Sequence, residues 1–155
     1  MARFPHALFP TLALVLLFTL PVAPAFADDT DQKAASVTAR IGTDAGLLAD
    51  EIFLLNNPVR DHLAHGGREQ LLRELVHQAV GHGCRADCLA EAVRSLTRLH
   101  AAGLPLIDAH RITVGQIDLA ARNGTGETLP QRLRSRIDTQ LGQWTSGSGS
   151  AANEP

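Results

Sequence analysis

Cys84 and Cys88 are the only cysteines of this chain, set in Gly83-Cys84-Arg85-Ala86-Asp87-Cys88, with His82 beside them and His77 one helical turn further back. Two imidazoles and two thiolates are the ligand set of a tetrahedral zinc site, and soft sulfurs also suit Cu(I). His77, His82, Cys84 and Cys88 are therefore the candidate metal ligands, for zinc or copper. A simpler chemistry competes with it: a pair of cysteines in an exported chain most often oxidises to a disulfide. On a regular helix the two Cα atoms would stand about 6 Å apart, near the upper end of what the bond accepts. Closure is easier with Cys84 in a turn, Cys88 on the first turn of the following helix, and Gly83 supplying backbone freedom. So short a ring removes little unfolded-state entropy, about 2 kcal/mol in the chain-entropy model. It clips a helix start and does not staple a domain. The leading expectation is the Cys84–Cys88 disulfide with no cofactor; metal binding is the alternative. Thiol redox chemistry is a lesser one, because a helix N-terminus beside His82 and Arg85 favours the thiolate.

Other chemistry-bearing residues read as surface. His62 and His65 share a helix face at i, i+3 but have no third ligand nearby in sequence. Asp50-Glu51 and the pair Asp87 and Glu91 have spacings compatible with acid–base work, yet solvated helix faces are the expectation. Arg132, Arg134 and Arg136 form a basic run that Glu127 and Asp138 dilute, again an ordinary charged face. Gly-x-Ser-x-Gly, His-Glu-x-x-His, a phosphate loop and Cys-x-x-Cys-His do not occur in the chain. The sequence therefore specifies no reaction, and a non-enzymatic protein is expected.

The elements that must carry these residues are helical. Val37, Ile41, Ala45, Leu48, Ile52 and Leu55 recur at spacings of four and three, one face of a first helix that Gly42 and Gly46 weaken enough to divide. Asn56-Asn57-Pro58 predicts a stop and a new start, with Asn57 as N-cap and Pro58 at the first helical position. Gly66-Gly67 breaks the chain again. Leu71, Leu72, Leu75, Val76, Ala79 and Val80 then form a stripe that ends at Gly81-His82-Gly83. A further helix is expected from about Ala86 to Ala102, with Leu89, Val93, Leu96 and Leu99 inward and Gly103 as its stop. Pro105 opens the next segment, where Ile107, His110, Val114, Ile117 and Ala121 fit a helical face. The β-branched Ile112 and Val114 leave a short strand within 110–119 as the alternative. Asn123-Gly124-Thr125-Gly126 is a loop. A last helix from Pro130 to Trp144 carries Leu133, Ile137 and Leu141, with Trp144 expected to cap the bundle and its indole N–H to need a partner. Breakers about 20 residues apart also fit a solenoid, but the segments between them are too unlike to be repeats. The expected fold is all-α, a small bundle of about five short amphipathic helices in one domain over 28–144, with 145–155 a disordered tail.

The first 27 residues address the chain. Arg3 gives a positive n-region, Thr11–Leu20 an apolar core, and Ala25-Phe26-Ala27 a small-x-small cut site. Pro5, Pro10, Pro21 and Pro24 interrupt the run, which falls short of the about 20 apolar residues a spanning helix needs. A cleaved signal peptide and a periplasmic or secreted location follow as expectations. The formal net charge of −2 argues against nucleic acid, whose binding depends on concentrated positive charge. Phe4, Phe9, Phe18 and Phe26 would leave with the signal, so Phe53 and Trp144 are the aromatics of the mature chain. That scarcity disfavours an aromatic-lined ligand pocket. The expected partner is another envelope or secreted protein, met on the helix faces.

Overall fold

A computed structural model describes residues 29–123 and 128–148. The expected signal and its cut site, residues 124–127 of the expected loop, and 149–155 of the expected tail lie outside the described residues. Among the described residues the fold is all-α, a small helical bundle of six helices: α1 Asp29–Asp44, α2 Ala49–Ala64, α3 Glu69–Gly81, α4 Ala86–Ala101, α5 Leu106–Arg122 and α6 Leu129–Ser148.

One turn recurs at the end of each of the first four helices. Gly46, Gly66, Gly83 and Gly103 lie at φ +67°, +79°, +82° and +96°, a left-handed conformation that costs glycine nothing. The next residue's N–H then bonds to the carbonyl five positions back: Leu47 to Gly42, Gly67 to His62, Cys84 to Ala79, Leu104 to Leu99. This closes the last helical turn and satisfies carbonyls that would otherwise lack a partner. Leu47, Cys84 and Leu104 turn inward and are buried. Gly67 breaks the pattern because the His62 imidazole occupies the space its side chain would take.

Inter-helix bonds set the directions. Arg40 to Glu69 and Arg73 to Asp44 lay α1 parallel to α3. Glu51 to Ala86 and His62 to Thr97 lay α2 parallel to α4, both at a separation of 35 residues. Arg134 to Glu91, Arg98 to Asp138 and Trp144 to Ala102 lay α6 parallel to α4 as well. Asp31 to Arg60 turns α2 back along α1, and His82 to Asp118 sets the end of α3 beside the end of α5, so α1, α3 and α5 run one way and α2, α4 and α6 the other, as three successive helical hairpins. α4 is the hub: it packs against α2, α3, α5 and α6. Its Leu89, Ala90, Ala92, Val93, Leu96 and Leu99 are all buried, far more of its circumference than a surface helix covers.

Several boundaries differ from the sequence expectation. The first expected helix divides at Gly46, as its glycines allow, but the break rotates the phase so that Leu47 is buried and Leu48, expected on the inner face, is exposed. Asn56-Asn57-Pro58 does not stop α2; Pro58 lies inside it, one backbone donor short, while Leu55, Val59 and His62 continue the buried stripe across it. Tertiary burial outweighs the missing bond. Residues 110–119 are helix rather than strand, with Ala109, Thr113, Ile117 and Ala120 inward and Ile107 exposed. α6 continues four residues past Trp144, where the Thr145 and Ser146 hydroxyls bond back to Leu141 and Gly142 carbonyls. Trp144 is half-exposed at 42 %, with its indole N–H donated to the Ala102 carbonyl.

Gly67 and Gly81 make a matched test of this packing. A methyl at Gly67 would overlap the His62 ring, whereas nothing stands within 4 Å of one at Gly81. Gly67→Ala is expected to lose about 1–3 kcal/mol by overpacking, and Gly81→Ala to gain about 0.5–1 kcal/mol. Urea titration of the two variants reads both.

Candidate functional site

The cysteines form the expected clip. Cys84 and Cys88 are joined by a disulfide with Cα atoms 5.2 Å apart, Cys84 in the turn and Cys88 on the first turn of α4. Both are buried. His77 is exposed on α3, and His82 Nδ1 lies 3.7 Å from Asp118. With each sulfur bonded to the other, neither is a thiolate to donate. Among the described residues no group of three or more His, Cys, Asp or Glu side chains is placed to hold a metal ion, so His77, His82, Cys84 and Cys88 are not brought together as a ligand set.

Two carboxylates expected on solvated faces are instead buried. Glu51 accepts the Leu48 N–H at 2.9 Å, satisfying the start of α2. Its other oxygen accepts the Ala86 N–H at 3.2 Å at the start of α4. One carboxylate thus holds both helix N-termini, where their dipoles favour negative charge.

Glu91 has the greater consequence. Its side chain is 3 % exposed and bonded to guanidiniums from two helices: Arg98 Nη2 donates to Oε1 at 2.9 Å and Arg134 Nη2 to Oε2 at 2.9 Å. Arg94 stands 3.9 Å away, and Arg98 also reaches Asp138 across α6 at 2.7 Å. The Glu91 bond holds the Arg134 guanidinium still further above its ordinary pKa.

This cluster forms one wall of an open groove of about 510 Å³. Pro58, Asp61 and His65 of α2 face Arg94, Thr97, Arg98 and Ala101 of α4, with Arg134 entering from α6. A smaller cavity of about 290 Å³ lies across the same Glu91, Arg94 and Arg134, toward Asp87, Thr128 and Gln131. Glu91 is engaged by arginines, and the Thr97 hydroxyl donates to the Val93 carbonyl at 3.0 Å. The groove presents the Arg98 and Arg134 guanidiniums held by Glu91, with Arg94 beside them and the Asp61 carboxylate on the facing wall; guanidinium geometry matches carboxylate and phosphate groups.

His62 backs the groove and is fully buried, not the surface residue its spacing with His65 implied. The Thr97 hydroxyl, already donating to Val93, accepts from His62 Nδ1 at 3.2 Å. Its Nε2 is buried without a partner among the described residues. The stripe Leu55, Val59, His62 at i, i+4, i+7 is the sequence signal that places it inside. For Glu91 no such signal exists, because its arginine partners lie 7 and 43 residues away.

No known protein family, curated protein or solved structure matches the chain.

Burial first, then the charges of His100, His65 and His110, push His62 down to about 4 from 6.5. His110 is also lowered, chiefly by burial. Between those values the unfolded chain binds more protons at position 62 than the folded one. The contribution is therefore whole above pH 6.5 and is lost as pH falls toward 4, about 3 kcal/mol in all. Denaturation from pH 7 to 4 is expected to show this fall in the parent and a flatter profile in His62→Gln. Identical slopes would count against a buried neutral imidazole.

Proposed function

We propose that the chain is exported, processed after Ala27, and acts without catalysis as a binding protein for another envelope or secreted protein. The groove between α2, α4 and α6 is its contact surface. The observation that carries this reading is the Glu91 cluster: a buried carboxylate fixing guanidiniums on the wall of a 510 Å³ groove. Guanidiniums pinned in one geometry lose less rotamer entropy on meeting an anion, and arginine is enriched at protein interfaces. The slightly acidic net charge of −2 supports local recognition over adsorption to a polyanion. No described helix is long and apolar enough to cross a membrane.

Site-specific photocrosslinking in the native host tests the reading. A benzophenone at Ala101 or His65, both in the groove, is expected to capture one discrete protein, and the recovered chain to begin at Asp28. The same group at exposed His77, away from the groove, should capture none. Equal labelling from all three positions, or a chain retaining residues 1–27, would overturn it.

A further inference from the structure

The groove also indicates what kind of segment enters it. Asp87, Glu91, Arg94, Arg98 and Ala101 follow one stripe of α4 at i, i+4, i+7, i+11 and i+14, and the two cavities lie along that stripe on either side of the Arg134–Glu91 bond. At 1.5 Å per residue the stripe is about 21 Å long, which about six residues of extended chain span at 3.4 Å each.

Charge sets the chemistry. Glu91 takes one Nη of Arg98 and one of Arg134, while a guanidinium carries five N–H donors. The Arg94 and Arg134 side chains are 51 % and 61 % exposed, and both line both cavities. Asp61 of the larger cavity is paired with Arg60 and Asp87 stands at the N-terminal end of the stripe, so the spare donors of Arg94 and Arg134 between them are what an anionic group would meet. A bound helix would require a row of apolar anchor pockets at i, i+3 and i+7. The α4 wall here offers guanidiniums with Ala101 as its apolar ground, and Pro58, Asp61 and His65 face it from α2. An anionic membrane or nucleic acid selects concentrated basic surface, and this chain carries −2 overall. We infer that the occupant is an extended acidic segment of a partner protein, about six residues long, lying along α4 with alternate carboxylates on Arg94 and Arg134. This rests on the groove being the partner-binding surface.

Fluorescence anisotropy with a labelled Glu-Ala-Glu-Ala-Glu-Ala peptide is the test, because alternation puts every carboxylate on one face of an extended chain. The acidic peptide is expected to bind the purified chain at least tenfold more tightly than its Gln-Ala counterpart, and more weakly as salt rises. Arg94→Gln, whose only contact with Glu91 is the 3.9 Å one, should keep the parent's thermal unfolding and lose at least tenfold in affinity. Equal affinity for the two peptides, or binding that Arg94→Gln leaves unchanged, overturns the inference. So does a chain that binds phosphatidylglycerol vesicles through Arg94 while ignoring the peptide. Groove crosslinks without peptide selectivity would sink the acidic segment alone; neither crosslinks nor selectivity would sink the groove with it.

Discussion

A buried carboxylate needs close countercharge, and at Glu91 that countercharge also ties two helices together. Taking a carboxylate out of water costs several kcal/mol, and only close, hydrogen-bonded countercharge offsets it. Arg98 supplies that from α4 itself and Arg134 from α6, each at 2.9 Å. The second bond is the consequential one. It ties α6 to α4 at the level of Glu91, in the same register in which Arg98 meets Asp138 and Trp144 meets the Ala102 carbonyl. The groove wall is a by-product of this requirement: arginines held for Glu91 present their remaining surface to solvent.

The opposite wall is aligned by different means. α2 is tied to α4 near both ends, by Glu51 to the Ala86 N–H and by His62 to Thr97, at the same separation of 35 residues. Equal separation leaves no room for a register slip between the two helices. The disulfide acts at the first of these ties, closing the turn that leads into α4 beside the amide Glu51 holds. Buried polar contacts therefore position α4 against α2 and α6, while the leucines and alanines of its surface supply the area removed from water.

Much of the fold was legible and little of the groove was. Apolar periodicity marks α3 to α6, and Gly66, Gly83 and Gly103 mark stops because a left-handed residue is cheap only for glycine, while the stripe from Val37 to Leu55 runs α1 into α2. The cysteine clip is legible from a lone pair of cysteines in a chain expected to be exported, at a spacing whose reach a disulfide accepts. Pro58 is a local breaker signal that loses to a stripe of burial crossing it, and the face through Ile107, His110, Val114 and Ala121 lies one residue out of phase with the buried Ala109, Thr113 and Ala120. His62 hid in a motif that also fits a surface pair, although its place in the Leu55–Val59 stripe and the side-chain-free Gly67 were both in view. Glu91 had no local signature at all. α4 is buried on most sides, so its outward face cannot be found from periodicity, and its partner Arg134 is 43 residues away.

Native-state hydrogen exchange on Glu91→Gln tests the central claim most directly. The substitution keeps the shape of the side chain and removes the charge that orders the arginines. If Glu91 docks α6, the amides between Leu133 and Trp144 should exchange at least tenfold faster in the variant, while those of α1, α2 and α3 keep their parent rates. Unchanged protection across α6 would contradict the account, since α6 would then be held by its apolar face alone.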